Sequence, residues 1–506
     1  MTKHAWSPYQ EAVFNEVENG TGHVLITARA GCAKTTTIVE AANRLNGDKQ
    51  ILMCAFNKEI ANELSSRVLG HVNVSTLHSL GFKTLKRAWK NLGIPNVELG
   101  PTRERDVIKE VMKRAHANAE WRADLTTLIR MAKAFVVEDA ASLLRLMEKY
   151  DCYPDGDPEE MVPLYTMWAQ EALKKFREPN PMITFDDMLY VPAYHKMTTG
   201  RNHFVFVDET QDLNTAQLIL ASHSVTRSGR IIFVGDDRQA IYGFRGADET
   251  TIPKIREIYK AKELKLTRTY RCPKKIVALA QNFVPDFEAA PTAPEGVLER
   301  VNEKFMKDNW APGDFVIARV NAVLVSLCLE ALAEGIPAYM VGRDIGAGLI
   351  KLIEKSKAFS IDELVAWVRE WQQSEMQKIV AADEEESKLT AVSDKANSLI
   401  RLAREVGSVH ELISFINSLF GEEKMGGEAR PRLAFMSCHK AKGLENGRVW
   451  LIDSSFRPGR GREEDNLYYV GITRAQRELY LVTMPKKASS NDKKTPLKNE
   501  LSLDGE

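Results

Sequence analysis

Residues 24–37 constrain the fold of this chain more than any other segment. An apolar strand at 24–27 is followed by the loop 28–33 (sequence ARAGCA), by Lys34 and Thr35, and by a helical pattern. In a unit of this kind the N–H groups of the loop and the helix N-terminus face an anion, the lysine reaches the terminal phosphates and the hydroxyl holds Mg²⁺. The segment therefore predicts a phosphate-binding loop at the carboxyl edge of a parallel sheet.

The loop departs twice from the strict pattern G-x-x-x-x-G-K-[ST], because Ala28 and Ala33 stand where glycines belong. Alanine fits such a loop if its φ is negative, although it leaves the backbone less freedom than glycine does. On this segment alone, an ordinary strand-to-helix turn is the alternative to a phosphate-binding loop.

Short apolar runs of the same kind recur along the chain. They lie at residues 23–27, 50–55, 203–207, 230–234, 315–318, 432–436, 448–452 and 479–482. Most are unbroken, which is typical of strands that are buried on both faces of a parallel sheet and separated by helices. Because they form two groups, each interrupted by a long helical stretch, we predict an α/β fold with two parallel-sheet cores in tandem.

The grouping predicts five parts of the chain. They are a first core at 1–84 and 183–260, a helical insertion in it at 85–182, a second core at 261–345 and 430–485, a reduced helical insertion in it at 346–429, and a disordered basic tail at 486–506. Capping-box patterns at Ser360-x-x-Glu363 and Ser408-x-x-Glu411 predict helix starts inside the second insertion.

Composition argues against several classes of protein. The 506 residues contain 69 Lys plus Arg and 69 Asp plus Glu, so a nucleic-acid partner would have to be bound by local features. The apolar runs are far shorter than the roughly 20 residues that span a bilayer, and the first residues lack the apolar core of a secretory signal. The six cysteines form no Cys-x-x-Cys pair, which argues against a zinc ribbon. We therefore expect a cytoplasmic protein with no membrane partner.

Two adjacent carboxylates, Asp208 and Glu209, follow the apolar run at 203–207. Asp208 is suited to coordinate Mg²⁺ through water, and Glu209 is suited to polarise an attacking water as general base. A solvated acidic turn is the alternative. The phosphate-binding loop favours catalysis, because parallel sheets place ligands at the carboxyl ends of their strands.

Further motifs follow in an order that chance does not explain. They are residues 7–10 (SPYQ), 28–36, 55–58 (AFNK), 76–78 (TLH), 208–212 (DETQD), 234–247 (VGDDRQAIYGFRGA), 266–271 (LTRTYR), 437–445 (SCHKAKGLE) and 467–475 (LYYVGITRA). They resemble the motifs of superfamily 1A DNA helicases of the UvrD, Rep and PcrA family, over most of the chain outside the two insertions. The resemblance implies two RecA-like cores and an ATP-dependent DNA helicase.

The resemblance assigns the nucleotide site, with ATP as substrate and Mg²⁺ as cofactor, to both cores. Gln10 would read the adenine, Tyr270 would stack on it, and Glu445 would contact the ribose or stabilise the closed cleft. The implied phosphate cradle consists of Ala30, Gly31, Cys32, Ala33, Lys34, Thr35 and Thr36, with Thr35 and Asp208 as the Mg²⁺ ligands.

Four further side chains are implied to act on the γ-phosphate. Gln239 and Arg245 would sense it, and Arg271 and Arg474 would be arginine fingers from the second core. Donors that arrive only when the cleft closes would couple hydrolysis to domain closure, because they stabilise the charge that develops during phosphoryl transfer. For Arg271 the alternative is an arginine on a surface helix.

The implied path for single-stranded DNA is lined by aromatic and polar side chains. Tyr242 and Phe244 would be stacking platforms, since aromatic faces accept any base; core packing is the alternative. The other implied contacts are Phe56, Asn57, Thr76 and His78 in the first core and His439 and Lys442 in the second. An ordinary buried histidine is the alternative for His78, and a solvated turn is the alternative for Lys440 and Lys442.

The chain departs from the family pattern in its phosphate-binding loop, in its second insertion and at Phe56, which lies one place away from the phenylalanine of several family members. Arg29 and Ala33 occupy positions where the family usually has glycine, so we expect unusual nucleotide affinity. The second insertion is smaller than the accessory subdomain of bacterial repair helicases, which predicts weaker autoinhibition or poorer duplex engagement. The lysines at 486, 487, 493, 494 and 498 are either a grip for phosphate or a protein partner, or simply solvated.

We therefore expect a helicase or translocase, monomeric without DNA, that acts on single-stranded DNA and at junctions of single and double strands. The direction 3′→5′ is implied by the resemblance alone. The alternatives are a translocase that strips proteins without unwinding, and a nucleic-acid-binding protein that ATP switches with negligible turnover. Glu209 and two arginine fingers argue against the switch, because a switch needs no general base.

Overall fold

The computed structural model describes residues 6–113, 121–150, 152–153, 158–241, 251–381, 386–420 and 431–485. The strands are β1 (Val24–Ala28), β2 (Ile51–Ala55), β3 (Val72–Thr76), β4 (Glu98–Leu99), β5 (Met182–Ile183), β6 (Asn202–Val207), β7 (Val225–Gly235), β8 (Lys262–Leu266), β9 (Arg268–Thr269), β10 (Glu288–Ala289), β11 (Val297–Asn302), β12 (Phe315–Ala318), β13 (Ala338–Met340), β14 (Leu433–Ser437), β15 (Asn446–Leu451) and β16 (Ala475–Thr483).

The helices are also numbered in chain order. They are α1 (Pro8–Asn19), α2 (Lys34–Arg44), α3 (Lys58–Arg67), α4 (Leu77–Lys90), α5 (Arg103–Lys113), α6 (Arg122–Phe135), α7 (Ala140–Tyr150), α8 (Pro158–Arg177), α9 (Asp187–Tyr194), α10 (Thr215–Ser222), α11 (Thr251–Ile258), α12 (Lys274–Ala280), α13 (Glu303–Asn309), α14 (Asn321–Ala333), α15 (Arg343–Ser356), α16 (Ile361–Ala381), α17 (Glu386–Ala403), α18 (Val409–Leu419), α19 (Cys438–Ala441) and α20 (Arg462–Ile472), with 3₁₀ turns at Thr210–Asp212, Asp237–Gln239 and Asp453–Ser455. Within the described ranges, none of these helices combines the length and apolar character needed to cross a membrane.

The first sheet contains strands β3, β2, β6, β7, β1 and β8 in that order, and all neighbours are parallel. Strands β1 and β2 are buried along their whole length, as their unbroken apolar sequences predict. Because the strands are parallel, the segments that follow β1, β6 and β7 emerge at the same edge of the sheet. This edge therefore carries the phosphate-binding loop, the Asp208-Glu209 pair and Asp236.

The second sheet is also entirely parallel, with the order β11, β16, β15, β12, β14 and β13. Strand β14 is buried throughout and leads into helix α19, and helix α20 precedes strand β16. The motifs at 437–445 and 467–475 thus flank one sheet. The predicted fold class, an α/β chain with two parallel-sheet cores, is confirmed.

Four strands of the two sheets were not predicted from the sequence, and all four are edge strands. They are β3 and β8 in the first sheet and β11 and β13 in the second. The sequence of β8, KELKL, is mostly exposed or half-buried, as expected where a strand has a neighbour on one side only. Strands β3, β8 and β11 mix polar and apolar residues, and β13 has only three residues, so none of the four carries an apolar run like those that identified the central strands.

The two insertions differ in how they are packed. Helices α4 to α8 surround an apolar cluster that includes Trp89, Leu128 and Trp168, and this cluster contains no residue of either large sheet. In the second insertion, Leu364 and Leu412 belong to the same apolar cluster as strand residues of the second sheet. Deleting the second insertion would therefore remove apolar side chains from the core of the second sheet.

Both predicted helix starts in this insertion are confirmed, with the serine as cap, although each glutamate accepts the N–H of the residue before the serine and not that of the serine itself. The Ser360 hydroxyl accepts the N–H of Glu363 at 3.2 Å before α16, and the Ser408 hydroxyl accepts the N–H of Glu411 at 3.2 Å before α18. The domain boundaries inferred from the sequence stay predictions, and the basic tail lies outside the described residues.

Candidate nucleotide and DNA site

The phosphate-binding loop joins strand β1 to helix α2 through two left-handed residues. Gly31 has φ +66° and Ala33 has φ +60°. The negative φ with which alanine would fit this loop is not adopted by Ala33, because this residue is the last before helix α2 and must turn the loop into it. A left-handed alanine costs about 1 kcal/mol relative to its preferred conformation, so the loop forms despite its missing glycine.

The backbone of this loop lies directly against the second core. The N–H of Tyr270 donates to the carbonyl of Gly31 at 2.8 Å, and the N–H of Ala30 donates to the hydroxyl of Tyr469 at 3.0 Å. A Cβ at Gly31 would lie 2.5 Å from the Cβ of Arg271. Only glycine fits there, so the close approach of Arg271 to the loop depends on Gly31.

Lys34 lies between the two carboxylates that follow strand β6. Its ammonium is 3.2 Å from Asp208 Oδ1 and also pairs with the carboxylate of Glu209. Burial opposes ionisation of Glu209, but Lys34 and Lys442 hold its pKa below the ordinary value, so it is an anion at neutral pH. Burial raises the pKa of Asp208, against the effect of Lys34. The two carboxylates are thus held by the phosphate-binding loop and are not a solvated turn.

The Glu209 backbone is itself left-handed, with φ +51°. Such conformations cost energy in residues other than glycine and cluster at functional sites. Gln211, to which the sequence assigned no role, supports Glu209 by donating from Nε2 to its Oε2 at 2.5 Å. The Gln211 Oε1 accepts the N–H of Asp236 at 3.0 Å, so this one side chain links the ends of strands β6 and β7.

The residues around Lys34 fit a magnesium ion held partly by a nucleotide. Among the described residues no group of three or more His, Cys, Asp or Glu side chains could hold a metal ion alone. Mg²⁺ in nucleotide sites is commonly bound by one or two oxygen ligands from the protein, with phosphate oxygens and waters completing the octahedron. Asp208, close to Lys34, and Thr35, the next residue, supply that type of donor.

Gln10 and Tyr270 come together at the start of helix α1, although they lie in different cores. Gln10 is buried; its Nε2 donates to the Thr37 hydroxyl at 3.0 Å, and its Oε1 accepts the Tyr270 hydroxyl at 3.5 Å. The Tyr270 ring is half exposed. The two side chains are neighbours, and their adenine-binding roles stay predictions.

The two predicted arginine fingers neighbour each other but differ in their contacts. Arg271 Nε is 2.5 Å from Glu445 Oε2. Arg474 is only 1% exposed and donates to the carbonyls of Val470 and Leu444 at 2.8 and 3.1 Å. No carboxylate of the described residues pairs with it, and burial, followed by repulsion from Arg271, lowers the pKa of Arg474 to about 10. Arg271 is not on a helix, so the surface-helix alternative is wrong.

Gln239 lies in a 3₁₀ turn after strand β7, where its Nε2 donates to Asp236 Oδ2 at 2.8 Å. Its backbone carbonyl accepts Lys442 Nζ from the second core at 2.7 Å. Lys442 also pairs with Asp212 at 2.7 Å and is 7% exposed, so it is not part of a solvated turn. Its charge contributes to the lowered pKa of Glu209, and its predicted DNA contact stays a prediction, as does that of His439.

Three of the predicted residues cannot be placed. Tyr242, Phe244 and Arg245 lie outside the described residues. Their stacking and phosphate-sensing roles therefore stay predictions.

Polar residues of the first core that were predicted to contact DNA are helix caps. Asn57 Oδ1 accepts the N–H of Ile60 at 2.8 Å before α3, and Thr76 Oγ1 accepts the N–H of Ser79 at 3.1 Å before α4. Phe56, next to the first cap, is exposed. These caps follow strands β2 and β3, at the same edge of the sheet as the phosphate-binding loop.

His78 stacks on Phe185, with ring centroids 4.0 Å apart and an angle of 22° between the planes. Burial lowers the pKa of His78 to about 4, so the ring is neutral at physiological pH and cannot bind phosphate as a cation. Phe185 is 56% exposed and was not predicted. Its signal in the sequence is a lone aromatic residue between Thr184 and Asp186 in an otherwise polar turn.

Two family models match the chain. The UvrD/REP helicase N-terminal domain matches residues 9–260, and the UvrD-like helicase C-terminal domain matches residues 343–486. These ranges contain the motifs of both cores, apart from the first two residues of the motif at 7–10 and the whole motif at 266–271.

Curated relatives agree with the family models. The chain is similar to the ATP-dependent DNA helicase PcrA of Staphylococcus epidermidis, with 27% identity in an alignment of length 310 that covers 56% of this chain and 40% of that protein. It is also similar to PcrA of Bacillus subtilis, with 27% identity in an alignment of length 292 that covers 53% of this chain and 38% of that protein. The matched part thus spans less than half of the length of these relatives. Together with the two parallel sheets and the order of motifs, the matched models show that the chain belongs to the UvrD/Rep helicase family.

Proposed function

We propose that this chain is an ATP- and Mg²⁺-dependent DNA helicase that moves on single-stranded DNA. The observation that supports this most is the meeting of Lys34, Glu209 and Arg271 at one loop, because it joins a phosphate-binding lysine, a candidate base and a candidate arginine finger from opposite cores. The PcrA relatives are named ATP-dependent DNA helicases. The direction 3′→5′ is proposed from the family.

Hydrolysis would begin with an exchange of ion pairs. ATP phosphates would take the Lys34 ammonium away from Glu209, which raises the pKa of Glu209 toward that of an effective base for the attacking water. Bound at Asp208 and Thr35, Mg²⁺ would neutralise charge on the phosphates. Arg271 and Arg474 would add positive charge as the γ-phosphoryl group is transferred.

The proposed DNA path crosses the carboxyl edge of the first sheet. Phe56 and the stacked pair of Phe185 and His78 present aromatic faces there, and a base stacked on such a face contributes about 1–3 kcal/mol without sequence preference. Tyr242 and Phe244 are proposed to extend this path. Opening and closing of the cores would then move the strand in small steps.

The first test is steady-state ATP hydrolysis with and without single-stranded DNA. We expect DNA to stimulate hydrolysis by the natural chain, and Glu209→Gln to abolish the stimulated rate while ATP still binds. Negligible hydrolysis with DNA, combined with an effect of ATP on DNA affinity, would contradict this proposal and favour an ATP-operated binding switch.

The second test uses forked duplexes that carry a single-stranded tail on either the 3′ or the 5′ side. We expect unwinding of the fork with the 3′ single-stranded tail and not of the fork with the 5′ tail, because a 3′→5′ motor moves toward the junction from a 3′ tail. If streptavidin is displaced from biotinylated single strands but no fork is opened, the protein is a translocase that strips proteins without unwinding. Sedimentation with and without DNA tests the proposed monomer.

A further inference from the structure

Arg29, the second residue of the phosphate-binding loop, is almost fully buried and faces three carboxylates. Its side chain is 8% exposed. Its Nη1 is 3.1 Å from Asp236 Oδ1 and 2.7 Å from Asp237 Oδ1. Its Nε and Nη2 donate to the two oxygens of Asp286 at 2.9 and 3.0 Å, so this contact is bidentate.

The three carboxylates come from different parts of the molecule. Asp236 and Asp237 follow strand β7 of the first core. Asp286 lies beyond the crossing into the second core, between α12 and β10. Arg29 therefore touches both cores at once, and its backbone N–H also donates to the carbonyl of Leu266, at the end of the last strand of the first sheet, at 2.9 Å.

Arg29 and Gln239 bind the same carboxylate. Asp236 Oδ1 accepts a hydrogen bond from Nη1 of Arg29, and Asp236 Oδ2 accepts one from Nε2 of Gln239 at 2.8 Å. Asp236 is buried, so each of its oxygens is fixed by a donor from the protein. A shift of the Arg29 guanidinium would be transmitted to Gln239 through one rigid side chain.

We propose that Arg29 is a positioning residue that holds Asp236, and through it Gln239, in place for recognition of the γ-phosphate. Its bidentate contact with Asp286 makes this placement depend on the second core. The inference rests on the proposed role of Gln239 as a γ-phosphate sensor. It gives a function to the residue that most clearly separates this loop from a glycine-rich one.

Lysine is the informative substitution at this position. It keeps one positive charge near the carboxylates, but a single ammonium cannot reproduce the planar fork that binds Asp286 and Asp236 together. The chain provides a matched control in Arg230, another buried arginine of the first core, which binds Glu16 and the carbonyls of residues 16, 17 and 22 away from the cleft.

The experiment compares Kd for ADP with Kd for a non-hydrolysable ATP analogue, measured by calorimetry in the absence of turnover. In Arg29→Lys we expect the preference for the ATP analogue to fall by about tenfold, the effect of one lost hydrogen bond to a charged group. Asp286→Asn should give a smaller loss in the same direction. Arg29→Lys combined with Gln239→Ala should lose no more than Gln239→Ala alone.

An unchanged preference in Arg29→Lys would overturn the inference, even if the variant melts earlier, because Arg29 would then be only structural. So would an equal loss in Arg230→Lys, since the effect would then follow from general destabilisation. Additive losses in the double variant would show that Arg29 does not act through Gln239. Absence of DNA-stimulated hydrolysis in the natural chain would contradict the proposed function, but it would leave these binding ratios interpretable.

Discussion

Single residues set the backbone and the charge of the site. The position of Ala33 in the phosphate-binding loop was evident from the sequence, but its left-handed conformation was not. The general-base candidate Glu209 followed from its place after an apolar run, whereas its partner Gln211 did not. The expected role of a residue can be inferred from the sequence pattern around it. Its dihedral angles and hydrogen-bond partners depend on atoms that are distant in sequence.

Ala33→Gly is expected to stabilise the protein. Glycine adopts a φ of +60° without the clash that alanine suffers there, so the free energy of unfolding should rise by about 1 kcal/mol. Denaturant unfolding measures the change. Ala42→Gly, in the interior of helix α2, is the control and should lower stability. Lower stability in Ala33→Gly would contradict the strain inferred at this position.

His78 predicts a pH dependence of stability. Its folded pKa of about 4 is below the unfolded value near 6.5, so its contribution to stability is present above pH 6.5 and is lost as pH falls toward 4. At pH 5 the loss should be about 2 kcal/mol. His78→Phe keeps the stack on Phe185 but does not titrate. Denaturant unfolding at pH 7.5 and pH 5 should therefore show a smaller loss in the variant; equal losses would contradict a His78 that is neutral in the folded protein.

At the scale of elements, the central strands could be predicted from the sequence, but the exposed position of Phe185 at the edge of the first sheet could not. The turn that carries Phe185 is held by Thr184 and Asp187, since Asp187 Oδ2 accepts the N–H of Thr184 at 2.8 Å. Below it, Lys133 of helix α6 pairs with Asp187 Oδ1 at 2.8 Å, and both side chains are fully buried. The first insertion thus fixes an aromatic side chain at the edge of the first sheet.

Lys133→Met should destabilise the protein by about 3 kcal/mol. The substitution leaves the buried carboxylate of Asp187 with Arg103, 3.7 Å away, as its remaining ionic partner, and it removes an ammonium that sits over the Phe176 ring. Thermal and denaturant unfolding measure the loss. Adding Asp187→Asn should restore part of the stability, because the buried negative charge is then absent. A Lys133→Met chain as stable as the natural one would show that this ion pair contributes nothing.

At the scale of the whole molecule, the site exists because the second core contacts the phosphate-binding loop. Lys442 binds Asp212 across the interface, and Tyr469 and Tyr270 bind the loop backbone. The sequence predicted two cores and the residues of each, but not that these contacts join them. The cytoplasmic location and the partner of the basic tail stay predictions.

Arg271→Lys tests this dependence on both cores. We expect the DNA-stimulated kcat to fall by roughly 10³-fold with little change in ATP affinity, because lysine keeps the charge but not the planar guanidinium that an arginine finger uses. Steady-state kinetics and nucleotide titrations separate the two quantities. Arg300→Lys, at an exposed arginine paired with Asp453, is the control. If Arg271→Lys had the same kcat as the unsubstituted chain, Arg271 would not stabilise the transition state.

The sequence by itself determined the fold class, the central strands, the order of motifs and the position of Lys34, Asp208 and Glu209 at the ends of central strands. These depend on local patterns, because a buried strand, a capping box or a phosphate-binding loop is defined by neighbours along the chain. The tertiary structure alone decided the left-handed Ala33, the neutral His78, the exposed Phe185 and the contacts of Arg29. Each of these depends on burial or on partners brought together by folding, as when Arg29 meets a carboxylate 257 residues away.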